Sequence, residues 1–169
     1  MLGAHLWHHG PETAFFGDIR GLDVQVGSHY DRLIQTMGQP HAREVVTETI
    51  ERWDDTEYSF DLQVLHYDGI TFFVSGIGRI SRFDITGEQF TLGGRNRIGV
   101  GSARSEVMAD FRQRRANPFT DCSCSRLRWA YGSDSLENGA FRYWQRFTIV
   151  EFEFDENNVV VRMRISGYG

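Results

Sequence analysis

The sequence contains no lysine, so all 18 basic residues are arginine. A GC-rich coding bias accounts for this more simply than selection for arginine-rich contact surfaces does. Cysteine is almost as scarce. Cys122 and Cys124 are one residue apart, a spacing that rarely closes a disulfide and that misses the Cys-x-x-Cys pattern of redox and zinc sites. A disulfide scaffold is excluded, and a reducing, cytoplasmic compartment is the expectation. The first residues lack a basic start followed by an apolar run, and no segment has the length to cross a bilayer, so no membrane span is expected. An envelope location would require a leader that has been removed.

Catalytic signatures are missing too. There is no Gly-x-Ser-x-Gly elbow, phosphate loop, His-Glu-x-x-His or dinucleotide fingerprint. Gly76-Ile77-Gly78 and Gly99-Val100-Gly101 read as turns and a helix entry. His5, His8 and His9 have spacing that a metal could use, but a solvated terminus explains them without one. His29, His41 and His66 stand alone as polar surface groups. Asp54-Asp55 fits a loop, and Glu151 with Glu153 fits a wet strand face better than an acid/base pair. Arg112, Arg114 and Arg115 answer the dipole at a helix C-terminus. The expectation is a chain with no enzymatic activity, no cofactor and no metal.

What the chain has is ample material for a core: 169 residues, 40% of them hydrophobic. Its charge divides unevenly at Gly87, with 6 Arg against 13 acids before that point and 12 Arg against 10 acids after it. Neither part is strongly basic, which argues against a dedicated nucleic-acid binder.

The chain also resembles itself. Val26-Gly27-Ser28 followed by Leu33 and Ile34 recurs as Val100-Gly101-Ser102 followed by Val107 and Met108, and Arg82-Phe83-Asp84-Ile85-Thr86-Gly87 recurs as Arg162-Met163-Arg164-Ile165-Ser166-Gly167. Each Val-Gly-Ser predicts a helix start, with Ser28 and Ser102 as N-caps and Asp31 or Glu106 in the first turn. The apolar stripes are Leu33, Ile34, Met37 and Val107, Met108, Phe111, and the helices end by Gly38 and at Arg115. Strands are expected over 58–67, 70–74 and 79–85, then over 127–131, 147–154 and 159–165, with turns at Asp68-Gly69, at 76–78 and at 155–158. Alternation turns Phe83, Ile85, Phe152, Phe154, Val161, Met163 and Ile165 toward the helices, leaving Arg82, Asp84, Glu151, Glu153, Arg162 and Arg164 on the opposite face. The expected fold is therefore α+β, a tandem repeat of two helix-plus-antiparallel-sheet modules over residues 15–87 and 88–169, after an N-terminal extension of residues 1–14.

With its helix starts at Val24-Gln25-Val26-Gly27-Ser28 and Ile98-Gly99-Val100-Gly101-Ser102, and its strands running to Gly87 and Gly167, the chain resembles the β-lactamase inhibitory proteins and the related small outer-membrane assembly lipoproteins. The resemblance covers about residues 15–168 and implies a saddle-shaped sheet that grips another protein. It suits a cytosolic inhibitor, such as an immunity protein neutralising a bacterial toxin. The alternatives are an envelope-associated assembly module and a small-ligand-binding domain. The expected partner is another protein, not a nucleic acid. The expected contact residues are Arg82, Asp84, Glu151, Glu153, Arg162 and Arg164 on the open face, together with Tyr143, Trp144 and Arg146 from a segment that interleaves aromatic rings with arginines.

Overall fold

Asp68 and Gly69 are all that separate two long strands, and Gly69 takes the positive φ of 72° that a two-residue hairpin turn requires. The same economy of connection runs through the chain. The computed structural model describes residues 19–51, 55–93, 96–116, 131–134, 141–145 and 148–167, with the backbone alone for 111–116, 131–134 and 141–145. In chain order the elements are α1 (Tyr30–Met37), β1 (Ala42–Glu51), β2 (Glu57–Tyr67), β3 (Ile70–Ser75), β4 (Ile80–Ile85), α2 (Arg104–Ala116), β5 (Tyr131–Asp134), β6 (Phe141–Gln145), β7 (Thr148–Phe154) and β8 (Val160–Gly167).

All eight strands belong to one antiparallel sheet in the order β1-β2-β3-β4-β8-β7-β6-β5. This overturns the expected tandem repeat of two separate helix-plus-sheet modules. The strands that would have closed each module instead pair with each other, Phe83 opposite Ile165 and Asp84 opposite Arg164. An edge strand with unpaired backbone groups gains hydrogen bonds by joining another edge, so two sheets become one.

The core is likewise single. Leu33 of α1 and Val107 of α2 are buried in the same cluster as Phe72, Phe83, Phe152, Met163 and Ile165, so both helices lie on one face of the sheet. Phe72 packs its ring against Phe83 and meets Tyr67 edge-on, with centroids 5.4 and 5.7 Å apart. Burial raises the Tyr67 phenol above its ordinary pKa, nearby Tyr30 adds to the shift and Arg43 opposes it; the hydroxyl donates to the Gly38 carbonyl at 2.9 Å.

The local similarity within the sequence has its own cause. Gly27 N–H donates to Ile80 O and Ile80 N–H to Ser28 O; Gly101 N–H donates to Val160 O and Val160 N–H to Ser102 O. Each glycine has a φ near 88°, so the turn before each helix can seat its backbone on the start of a strand. Ser28 and Ser102 do not cap the helices as expected. Their hydroxyls accept from Gln25 N–H and Gly99 N–H, closing the preceding turn, and the helices begin two residues later. His29 takes the cap of α1, its ring accepting from Asp31 N–H, while at α2 the Glu106 carboxylate reaches back to the Ala103 N–H.

The turns at 68–69, 76–78 and 155–158 form as expected, the last fastened by Asp155 Oδ1 accepting from the amides of Asn157 and Val159. Two strands were not anticipated as strands, β1 and β6. The expected strand over 127–131 falls mostly outside the described residues. Val161, expected inside, is 42% exposed because the β7–β8 register shifts between Glu153 and Phe154.

Candidate functional site

Antiparallel register decides which side chains share a face, since directly opposed residues point the same way. One transverse row on the helix-free face reads Ala42, His66, Thr71, Asp84, Arg164, Glu151, and the adjacent row reads Glu44, Val64, Phe73, Arg82, Ser166, Ile149; the backbone register continues from Glu151 to Arg142 and Ser133 and from Ile149 to Trp144 and Tyr131. The register thus crosses all eight strands. A further row pairs Glu153 with Arg162.

Asp84 lies near the middle. Both its carboxylate oxygens accept from Arg164, Nε at 2.9 Å and Nη2 at 2.8 Å, in the two-pronged geometry that guanidinium and carboxylate favour. Its side chain is only 13% exposed. That hydrogen bonding, helped by Glu151 and Glu153, raises the Arg164 pKa above the usual arginine value against the opposing effect of partial burial.

Arg82 lies beside this pair with its guanidinium 3.8 Å from the centre of the Phe73 ring and its Nη2 donating to Glu48 of β1 at 2.8 Å. Three strand spacings of about 4.8 Å separate β1 from β4. The ion pair therefore lies flat across β2 and β3. It forms a roof over Phe73 and Val64, and this explains why Leu62 and Val64, on the face that carries no helix, are each only 2% exposed. Arg82 Nε is buried without a hydrogen bond, 4.0 Å from Asp84 Oδ1. The face is thus a thin apolar layer held under paired charges, where the sequence suggested a simply wetted surface.

Toward the rim the pairs are more exposed. Arg162 Nη2 meets Glu153 Oε2 at 2.5 Å with both side chains about 40% exposed, and His66 Nε2 meets Glu44 Oε1 at 2.9 Å. At one corner of the sheet Tyr58 stacks on Phe60, ring centroids 5.9 Å apart, next to exposed Ile50.

Of the residues expected at the contact, the structure gathers Arg82, Asp84, Glu151, Glu153, Arg162 and Arg164 onto this face. In the backbone register Trp144 is opposite Ile149 and Tyr143 is opposite Val150. Arg146 lies outside the described residues. Glu48 and Phe73 were not expected at the contact, and His66, expected to stand alone, pairs with Glu44. Glu48 could not be found by local pattern because its partner Arg82 is three strands away. Elsewhere, an open groove of about 340 Å³ is lined by Leu22, Asp23, Val24, Gln25, Ser28 and Arg32, with Asp23 and Arg32 paired at 2.7 Å. Among the described residues no three His, Cys, Asp or Glu side chains come together as a metal site would need, and no helix is long and apolar enough to cross a membrane.

No protein-family model matches the chain, and no curated protein matches it at a significant level. Among solved structures it is similar to a cysteine-rich secretory protein from Staphylococcus aureus, with 13% identity and a TM-score of 0.42. The overlap covers 84% of this chain and 43% of that one.

Proposed function

We propose that the chain is a non-catalytic protein-binding module that engages its partner with the helix-free sheet face. The observation that carries this reading is the arrangement on that face: arginines, carboxylates and aromatic rings set in rows by backbone register, with an apolar layer beneath. Arginine and aromatic residues are the types that dominate binding hot spots. Rigid strands hold them in place, so little conformational entropy is lost when a partner docks. Ion pairs already formed within the face favour a partner whose charges complement the rims, where Glu153, Arg162 and Glu44 are most open, and such complementarity governs specificity and association rate.

The test is affinity capture from the native cell with the wild-type chain and two variants, each checked for folding by circular dichroism. Glu151→Arg combined with Arg162→Glu should abolish retention of a stoichiometric protein partner. Gln35→Arg, on the exposed side of α1, should leave retention intact. Equal retention by all three, or no stoichiometric protein with any, would sink the proposal.

A further inference from the structure

The two ends of the sheet are unlike. β5 ends one side with 4 residues, too short to template another strand, whereas β1 ends the other with 10 residues that have no neighbour on their outer side among the described residues. Val45 is 65% exposed and Ile50 49%, so this edge also leaves apolar side chains in water. We infer that β1 pairs antiparallel with β1 of a second copy, joining two sheets edge to edge around a two-fold axis at Thr47.

The charges of β1 select both the occupant and the register. With Thr47 opposite its own copy, Arg43 of each chain faces Glu51 of the other, Val45 faces Thr49, Val46 faces Glu48 and Glu44 faces Ile50; no like charges are directly opposed. Moving the axis to Val46 sets Glu44 against Glu48 twice. Moving it to Glu48 sets that glutamate against itself. Directly opposed like charges destabilise an antiparallel pair and opposite charges stabilise it, so the strand is complementary to itself in the Thr47 register, as an isologous interface requires.

The supporting side chains fit. Arg43 is hydrogen-bonded to Gln39 and lies 5.8 Å from the centre of the Tyr30 ring, which holds its guanidinium at the end of the strand. Glu44 and Glu48 are drawn back over their own sheet by His66 and Arg82, so the acids that would blunt the edge point their charge away from it. This register also keeps like faces together. Two copies would then present their helix-free faces on the same side, a bivalent surface for any partner with repeated sites. The pairing itself does not depend on that reading.

Sedimentation equilibrium on the full chain should find a species of twice the 19.5 kDa chain mass. Arg43→Glu and Glu51→Arg, each alone, should raise the dimer dissociation constant about tenfold, and the two together should restore it, because the reversed pair is again complementary. Thr47→Cys, in a chain with Cys122 and Cys124 replaced by serine, should oxidise to a covalent dimer, since directly opposed Cα atoms lie within disulfide reach. Among the described residues Glu51 makes no hydrogen bond or ion pair and its strand partner is Glu57, so its reversal breaks no described contact, and that variant reads the interface even if Arg43→Glu disturbs the fold. A chain that stays monomeric into the millimolar range overturns the inference. So does a dimer whose affinity Glu51→Arg leaves unchanged.

Discussion

Asp84 shows at the scale of one residue how the helix-free face is held. Its two oxygens fix Arg164 from the neighbouring strand, and its charge also faces Arg82, whose other counterion is Glu48. Replacing it with alanine leaves Arg164 half-buried with two donors unmet, a loss of charge-assisted hydrogen bonds in a partly desolvated setting. Asp84→Ala should cost about 1–3 kcal/mol in urea unfolding. Arg162→Ala removes an ion pair whose two members are both about 40% exposed, and it should change stability by less than about 0.5 kcal/mol. If the two substitutions cost the same, the charges across β4 and β8 are decoration on the sheet and not part of what holds it. The sequence placed both arginines and Asp84 on one face by alternation alone. It could not show that Asp84 is nearly covered, because that depends on which strand lies beside β4.

At the scale of the element, alternation succeeds where a strand is covered on one face and paired evenly, and it fails where either condition lapses. The stretch in which Ile70–Phe73 of β3 pairs with Arg82–Ile85 of β4 satisfies both, and Phe72, Phe83 and Ile85 are buried as their spacing requires; beyond it the register shifts at Ser81, and Ile80 and Phe83 are buried three residues apart. β1 was not legible as a strand because Arg43, Glu44, Glu48 and Glu51 break the apolar alternation. An edge strand with most of both faces in water needs none, and its β-branched Val45, Val46, Thr47, Thr49 and Ile50 carry what signal there is. β8 fails for the other reason. Its own bulge shifts the pairing by one residue: Arg162 is opposite Glu153 and Val160 opposite Phe154, so Val161 between them has no partner and emerges into solvent while Met163 two residues on is fully buried. Val161→Asp should therefore be tolerated within about 0.5 kcal/mol, and Met163→Asp should unfold the protein by placing an unpaired charge in the core. Thermal melts of the two variants distinguish this register from an uninterrupted one, in which both substitutions would be ruinous.

For the whole molecule, the decisive contact is the pairing of β4 with β8. It carries the Asp84–Arg164 pair on one side and the Phe83–Ile165 neighbours on the other, and it makes one core of what the sequence suggested would be two. A chain ending at Gly87 would leave β4 as a bare edge and uncover Phe83 and Ile85. That fragment should be unfolded or aggregated alone by circular dichroism, and should recover sheet signal on mixing with residues 88–169, because the missing strand is then supplied in trans. A fragment that melted cooperatively by itself would instead show that the first four strands are self-sufficient.

The sequence by itself determined the turns, the two helix entries and the facing of most strands, because each depends on residues within a few positions of one another: a glycine free to take positive φ, a serine closing a turn, an apolar residue every second place. Tertiary structure alone decided that the sheet is continuous, that Glu48 reaches Arg82, and that Val161 turns outward. Those outcomes rest on hydrogen bonds between strands far apart in the chain, and a strand's free edge carries no mark in its side chains of which other edge will complete it.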